Sequence, residues 1–185
     1  MLAEEVVRSC IFELETMKQR ADRAIAQVSA EDLFRKLDPE SNSLVEIMKH
    51  VGGNLHSRWT DFLTSDGEKP GRDRDSEFVA GASDAPESVR RQWEDGWECL
   101  FDSLRSLRPE DTGRTVLIRG EAHSVIEATQ RTMTHCSNHV GQIILLAKHF
   151  AGPRWQTLTV PRGQSEQFNA ALSQKRAGAY LSKKP

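Results

Sequence analysis

Four long segments of the chain carry apolar residues at every third or fourth position, the spacing that places them along one side of an α-helix. These series run over residues 7–28, 44–62, 89–107 and 128–150. Each segment has about 20–28 residues, enough for a helix of roughly 30–40 Å. Helices with one apolar side bury that side against one another, and four of them do so most simply as a bundle. The periodicity therefore predicts an all-α fold, a four-helix bundle.

Helix start and stop signals flank these segments. Ser43 and Ser124 are each followed three residues later by a glutamate, Glu46 and Glu127, which is the spacing of a capping box. In a capping box the serine hydroxyl and the glutamate carboxylate accept hydrogen bonds from amides at the start of the helix. Pro109 follows the third segment, where proline would interrupt a helix. These signals predict that the second helix begins after Ser43 and the fourth after Ser124.

Two connections between the predicted helices have features of their own. Residues 65–83 form a long polar crossover after helix two, and connections of that length usually span a bundle or carry function. Before helix four, Thr115–Ile118 is a short apolar stretch followed by Arg119 and Gly120, a pattern typical of a strand and a turn. We therefore expect a short hairpin before helix four.

The chain after Pro153 has a different character. Residues 155–163 lack helical periodicity and predict an extended segment, and residues 165–172 predict a short helical turn. Residues 174–185 are basic and weakly apolar, which predicts a flexible tail. We therefore expect one domain over residues 1–173, with an extended C-terminal segment, followed by the tail.

The charge balance excludes several classes of partner. The chain has 25 basic and 27 acidic side chains and a formal net charge of −2, so no overall positive field favours nucleic acid or an anionic membrane. No apolar run approaches the roughly 20 residues that cross a bilayer, and Glu4 and Glu5 stand where a signal peptide carries basic residues. Three widely spaced cysteines are typical of reduced thiols. We expect a soluble cytoplasmic protein with no nucleic-acid or membrane partner.

Two histidines lie one helical turn apart in the fourth predicted helix. His135 and His139 follow Thr132 on the side that should face the bundle interior. Burying two imidazoles without partners is costly, and a shared metal ion would satisfy one nitrogen of each. Hydrogen bonds to neighbouring helices are the alternative explanation. A metal site needs a third ligand, and His50 and His56 flank the apolar side of helix two equally, so periodicity does not choose between them.

Several known catalytic arrangements are missing from the sequence. It contains no H-E-x-x-H motif and no glutamate three residues before a histidine, which excludes the metalloprotease and di-iron carboxylate patterns. Cys136 follows His135 directly but points about 100° away from it around a helix, so a thiol–imidazole pair is not expected. We expect Cys136 to be a buried structural cysteine.

Residues 135–143 have the sequence H-C-S-N-H-V-G-Q-I, which resembles the H-x-x-x-H-x-G-Q-I signature on the last bundle helix of the DinB/YfiT-like superfamily. Members of that superfamily are four-helix bundles in which two histidines of this helix and one of the second helix hold a divalent metal. The superfamily's second-helix histidine has apolar neighbours, and His50 matches that context better than His56. The resemblance therefore implies that His50, His135 and His139 bind the metal.

Other parts of the chain resemble one branch of this superfamily, a family of unassigned function. The likeness includes residues 57–63, 66–70 and 161–163, together with Trp155. It extends from the first helix to about Asn169. The resemblance implies a fold and a metal site, but this branch has no assigned reaction to carry over.

The wider superfamily implies a possible activity. Its characterised members include thiol-dependent S-transferases and a maleylpyruvate isomerase that use low-molecular-weight thiols. By that resemblance we expect a divalent metal, zinc or nickel before iron or copper, and a low-molecular-weight thiol as cosubstrate. The expected function is a metal-dependent thiol S-transferase, or a related lyase or hydrolase, acting on a small molecule at an open three-histidine site. The alternative is a non-catalytic bundle, structural or stress-related, whose metal is structural or adventitious.

Four residues are candidates for binding the substrate or cofactor: Asn54, Ser57, Arg58 and Arg162. The first two follow the second-helix histidine at helical spacing, and the two arginines suit an anionic substrate group such as a carboxylate. Arg72 and Arg74 alternate with aspartates, a pattern typical of surface ion pairs. We expect the protein to be a homodimer, since two-fold assembly is the commonest state among soluble oligomers.

Overall fold

The structure is a computed structural model that describes residues 2–81 and 84–181. Within these ranges most residues are helical, and the sheet has two antiparallel strands. The helices are α1 (Leu2–Ile25), α2 (Leu44–Trp59), α3 (Pro86–Arg105), α4 (Val125–Ala151) and α5 (Ser165–Leu181), and the strands are β1 (Thr115–Ile118) and β2 (Glu121–Ser124). The prediction of a mostly helical protein is confirmed. None of the described helices is both long and apolar enough to cross a membrane.

The chain forms two compact units, Met1–Arg154 and Trp155–Pro185. The first unit contains α1 to α4 and the hairpin. The second unit contains α5, which begins within the predicted helical turn at residues 165–172 but continues to Leu181. The predicted tail, residues 174–185, is therefore helical over its first part, and its last four residues lie outside the described part of the chain.

Both predicted capping boxes are present. At the start of α2, Ser43 Oγ accepts a hydrogen bond from the Glu46 amide at 3.3 Å, and Glu46 Oε2 accepts one from the Ser43 amide at 2.7 Å. At the start of α4, Ser124 and Glu127 form the same two hydrogen bonds at 3.2 Å and 2.7 Å. The starts of these two helices, which carry the three histidines, therefore agree with the sequence prediction.

Helix α2 is shorter than the apolar series over residues 44–62 predicted. It ends at Trp59, because Thr60 is extended and Asp61 has a left-handed φ of 47°. Phe62 is nevertheless buried and packs on Trp59, with ring centroids 4.3 Å apart. The apolar series therefore predicted the buried residues correctly but placed the helix end too late. Residues of a turn that follows a helix can still pack against the core.

Two glycines allow α2 and α3 to pack closely. A Cβ atom on Gly52 would lie 2.6 Å from the carbonyl oxygen of Gln92, and one on Gly96 would overlap the backbone of Gly52. Only residues without a side chain permit this approach of two backbones. Helix α4 packs on both α1 and α2. Trp93 and Trp97, which are 1% and 0% exposed, belong to the core on the α3 side.

The crossover after α2 is tied to the hairpin and to α2. Residues 82 and 83 of the predicted crossover, 65–83, lie outside the described residues. The Asp66 carboxylate accepts hydrogen bonds from the amides of Arg119 at 2.8 Å and Gly120 at 2.7 Å. Both of these residues have positive φ, as the two-residue turn of a hairpin requires. A short 3-10 turn, Asp75–Phe78, then packs on α2 beside the three histidines.

Candidate metal centre

Three histidine side chains converge between α2 and α4. His50 lies in the middle of α2, and His135 and His139 lie one turn apart in α4. One ligand nitrogen of each lies within 4.8 Å of the others, and His50 Nε2 is 3.1 Å from His135 Nε2. The structure therefore brings together all three histidines selected from the sequence, whereas His56 is exposed on another side of α2.

A carboxylate fixes the orientation of His50. Nδ1 of His50 donates a hydrogen bond to Glu77 Oε2 at 2.9 Å, because the oxygen of an ionised carboxylate can only accept. In the uncharged imidazole Nε2 then carries the lone pair, and it faces the other histidines. Arg72 donates two more hydrogen bonds to Glu77, from Nε to Oε1 and from Nη2 to Oε2, both at 2.8 Å. A carboxylate behind a histidine in this way is common in metal sites, where it orients the ring.

The surroundings of Glu77 keep its carboxylate ionised and in place. Burial acts to raise the pKa of Glu77, but the hydrogen bonds from His50 and Arg72 and the Arg72 charge outweigh burial and lower this pKa. The carboxylate also needs the space left by Gly53, since a Cβ atom there would overlap Glu77 Oε1. The next residue, Phe78, packs on the His50 ring with centroids 4.5 Å apart. Neighbouring residues of one turn thus hold this imidazole by a hydrogen bond and by packing.

His139 is oriented by a residue of its own helix. Its Nδ1 lies 2.8 Å from Gln142 Oε1, and since an amide oxygen accepts, Nδ1 carries the proton and Nε2 the lone pair. The third ring differs, because Nδ1 of His135 is buried and has no hydrogen-bond partner among the described residues. Two of the three imidazoles, His50 and His139, are therefore held with the lone pair on the same nitrogen, Nε2.

The donor set fits a divalent metal ion. Burial, together with the charges of His139, His50 and Arg58, lowers the pKa of His135 to about 3. Burial also outweighs the Gln142 hydrogen bond and lowers the pKa of His139. Both imidazoles of α4 are thus uncharged at neutral pH, the form that binds metals. In a tetrahedral site with bonds of about 2.0–2.1 Å the ligand nitrogens lie about 3.3 Å apart, close to the 3.1 Å between Nε2 of His50 and Nε2 of His135.

One family model matches most of the chain. Its description is "Protein of unknown function (DUF1572)", and the match covers residues 1–164. The chain belongs to the DUF1572 family. No curated protein matches the sequence. The family supplies no reaction, so the chemistry of this DUF1572 protein has to follow from its own residues.

The α4 histidines of the DUF1572 protein lie at the edge of the buried side of the helix. Thr132 and Cys136 are both 0% exposed, whereas His135 and His139 are half-buried. The prediction that both histidines face the interior is therefore only partly correct. Both α1 and α2 pack on α4, so the most buried side of α4 is the one that carries Cys136. Burial raises the pKa of the Cys136 thiol to about 12. This thiol stays protonated, as expected of a structural cysteine.

Three of the four predicted substrate- or cofactor-binding residues are buried on α2: Asn54, Ser57 and Arg58. Ser57 has a role in the fold, since its Oγ donates to the Gly67 carbonyl and accepts from the Lys69 amide, both at 3.1 Å. The fourth, Arg162, is exposed and belongs to the second compact unit of the DUF1572 protein. Substrate or cofactor binding by these four residues stays a prediction.

Sequence reasoning missed two residues of the site and misjudged a third. Arg72, expected in a surface ion pair, has a side chain only 6% exposed and pairs with Glu77. Arg74 does form a surface pair, with Asp75 at 3.6 Å. Gln142 was visible as part of the H-x-x-x-H-x-G-Q-I signature, although its contact with a histidine was not inferred. Glu77 had no local signal, because it lies 27 residues from its partner on an irregular segment.

Proposed function

We propose that this DUF1572 protein binds one divalent metal ion through His50, His135 and His139, within a four-helix bundle of the DinB/YfiT-like type formed by α1 to α4. One observation carries the proposal. The hydrogen bonds of His50 to Glu77 and of His139 to Gln142 leave the same nitrogen, Nε2, with the lone pair on both rings, and the ligand atoms of all three rings lie close together. Orientation of rings by partners of this kind is typical of metal sites.

Three imidazoles suit zinc or nickel and are compatible with iron or copper, so metal supply contributes to the choice. A metal held by three histidines keeps positions open, where it can polarise a carbonyl or lower the pKa of a bound thiol or water. The chain itself contributes the orientation of two rings, by Glu77 and Gln142. It also contributes the burial that keeps His135 and His139 unprotonated.

We propose that the protein transfers a thiol to a small electrophile, or catalyses a related lyase or hydrolase reaction on a small molecule. The positions of the protein's own cysteines favour a thiol that comes from a separate small molecule. Cys136 is buried with a pKa raised to about 12. The Cys99 thiol contacts Thr60 and the backbone carbonyl of His56, not one of the three candidate ligands. The nucleophilic sulfur would then come from a low-molecular-weight cosubstrate.

A structural role for the metal is the second candidate, and the contacts of Glu77 favour it. Through His50 and Arg72 this carboxylate already joins α2 to the crossover. A metal ion between α2 and α4 would extend that connection to a third element. On this alternative the metal stabilises the bundle and no small molecule reacts there.

Elemental analysis of tag-free protein tests the metal site. We expect one divalent metal ion per chain in the wild type and none in the double variant His135→Ala, His139→Ala. The variant His56→Ala, which changes an exposed histidine of α2, is the matched control and should keep the metal. No metal in the wild type after incubation with zinc and with nickel would overturn the proposal.

A thiol then separates catalysis from a structural metal. If the protein is an enzyme, glutathione or cysteine should raise the melting temperature only when metal is bound. Turnover of these thiols with the model electrophile 1-chloro-2,4-dinitrobenzene should be lost in His139→Ala. If the metal is structural, its removal lowers the melting temperature and neither thiol has a metal-dependent effect. The homodimer and the cytoplasmic location stay predictions from the sequence.

A further inference from the structure

Six buried side-chain atoms in the described part of the chain have no hydrogen-bond partner, and four of them belong to polar residues of α2 and α4. These four are Asn54 Oδ1, Arg58 Nε, Thr132 Oγ1 and His135 Nδ1. Folded proteins leave few buried polar atoms unpaired, so a group of them between two helices calls for an explanation.

Arg58 is the most costly member of this group. Its side chain is 6% exposed, and none of the described residues forms a hydrogen bond or an ion pair with its guanidinium. Glu68, the carboxylate that acts on its charge, already pairs with Arg119 at 3.0 Å and with Arg72 at 3.7 Å. A buried cation without a counter-charge destabilises a protein strongly.

A second arginine stands opposite Arg58. Arg131 of α4 exerts the largest charge effect on Arg58, and burial together with this like charge lowers the pKa of Arg58 to about 10. The contact recorded for Arg131 is with the ring of His123, at 3.5 Å. In the described ranges no carboxylate pairs with Arg131 either. The buried Arg58 and the exposed Arg131 therefore repel each other, and no carboxylate of the described residues forms an ion pair with either.

The two arginines lie along the same interface as the histidines. Ile47, near the start of α2, and Gln142 of α4 line the same groove. His50 contacts His139, and Ile47, three residues before His50, shares the groove with Gln142, three residues after His139, so the two helices run antiparallel. Eight residues further along this pairing, Arg58 of α2 lies opposite Arg131 of α4. Arg58 is two helical turns beyond His50, about 11–12 Å along the axis. Helical side chains tilt toward the helix N-terminus, so Arg58 leans toward His50, whereas Arg131 leans toward His123 of the hairpin.

We propose that Arg58 and Arg131 bind an oxyanionic group, a carboxylate or a phosphate, of a small molecule held between α2 and α4. Guanidinium groups bind such oxyanions with paired hydrogen bonds. Asn54 lies one helical turn before Arg58, and its unpaired Oδ1 suits a polar group beside the anion. The oxyanion site stands on these residues alone.

The relation of this site to the histidines rests on the proposed metal. With a metal at the three histidines, the small molecule would carry its oxyanion roughly 6–12 Å from the atom that meets the metal, one to two helical turns. That spacing describes a small organic acid or phosphate ester with a second reactive or metal-binding group. The positive charges of the two arginines disfavour a bare cation or a neutral hydrocarbon as the ligand.

Binding of defined anions to the full chain tests the proposal. The probes are sodium acetate, sodium succinate and inorganic phosphate, each at constant ionic strength adjusted with sodium chloride. Melting temperature and isothermal titration calorimetry are measured for metal-free and zinc-loaded protein. The variants are Arg58→Met and Arg131→Met, and Arg20→Met, an exposed arginine of α1, is the matched control.

We expect succinate or phosphate to raise the melting temperature of the wild type and of Arg20→Met, with a dissociation constant at least tenfold weaker in Arg58→Met and in Arg131→Met. Without added anion, Arg58→Met should melt no lower than the wild type, because an unpaired buried charge is removed. The relative response to the carboxylates and to phosphate identifies the oxyanion. Absence of any anion effect in the wild type, or equal binding by Arg58→Met, would overturn the proposal.

The proposed metal site and the proposed oxyanion site can be refuted independently of each other. Anion binding that persists in His135→Ala, His139→Ala would support the oxyanion site even if the wild type took up no metal. Metal uptake without anion binding by the wild type would leave the metal site standing and refute the oxyanion site.

Discussion

Replacing Glu77 with glutamine removes one negative charge from the candidate metal centre and keeps the shape of the side chain. The carboxylate accepts hydrogen bonds from His50 Nδ1 at 2.9 Å and from two nitrogens of Arg72 at 2.8 Å. All three side chains are about 6% exposed. The substitution therefore leaves the Arg72 guanidinium buried without its main counter-charge.

The size of the effect follows from this burial. Removing one partner of a buried ion pair costs about 3–5 kcal/mol. Glu68 lies 3.7 Å from Arg72 and remains as a weaker partner, so we expect a loss of about 2–4 kcal/mol in the free energy of unfolding. With a urea m-value of about 2 kcal/mol/M, the unfolding midpoint would fall by about 1–2 M. Loss of the carboxylate behind His50 should also weaken zinc binding by about 10–100-fold.

Urea unfolding of metal-free protein, followed by circular dichroism, measures the stability loss, and a zinc titration measures the affinity. Asp75→Asn is the control, because this carboxylate lies in the same 3-10 turn but is 97% exposed. Its effect should stay below about 0.5 kcal/mol. The double variant Arg72→Met, Glu77→Gln should recover part of the stability but not the zinc affinity. A Glu77→Gln protein with wild-type stability and wild-type zinc affinity would refute this account of the site.

Three further predictions concern the site and its supports. Gly53→Ala should weaken zinc binding in a metal titration, since its Cβ atom would displace the glutamate carboxylate, whereas Gly141→Ala, with open space around it, should change affinity little. The pKa of His135 lies near 3, below its ordinary value of 6.5, so between these pH values the unfolded chain takes up a proton that the folded protein does not. The stability of metal-free protein should therefore be complete above about pH 6.5 and fall by up to about 1.4 kcal/mol per pH unit below it, and urea unfolding across this range should show a smaller slope for His135→Phe. Ser57→Ala should remove both hydrogen bonds that hold the crossover near Gly67, at a cost of about 1–3 kcal/mol, and limited proteolysis should cut residues 65–75 faster than in the wild type.

Much of the helical framework could be predicted from the sequence, because the signals for it are local. The Ser43–Glu46 and Ser124–Glu127 pairs mark the first turns of α2 and α4 within four residues of chain. The spacing of His135 and His139 likewise places both on one side of a helix without any knowledge of the rest of the fold. Even the end of α2 was misplaced by only one turn, since burial of Phe62 continues past the helix.

The choice between His50 and His56 could not be made from the local sequence periodicity. Both flank the apolar side of α2, and the phase of a helix against its neighbours is set by all the elements that pack on it. His50 was favoured by a resemblance, because its apolar neighbours match those of the second-helix histidine in the DinB/YfiT-like superfamily. In the structure His50 is 5% exposed and meets the α4 histidines, because α4 packs on that flank of α2.

The chain's local pattern thus determined which segments are helices, where two of them begin, and that two imidazoles share a helix face. Only the tertiary structure decided what surrounds those imidazoles. Glu77 reaches His50 across 27 residues because the crossover folds back on α2, and Arg72 is buried for the same reason. The charge of Arg131 likewise acts on Arg58 only because α2 packs on α4. Contacts of this kind depend on the path of the whole chain, which the periodicity of a single segment does not encode.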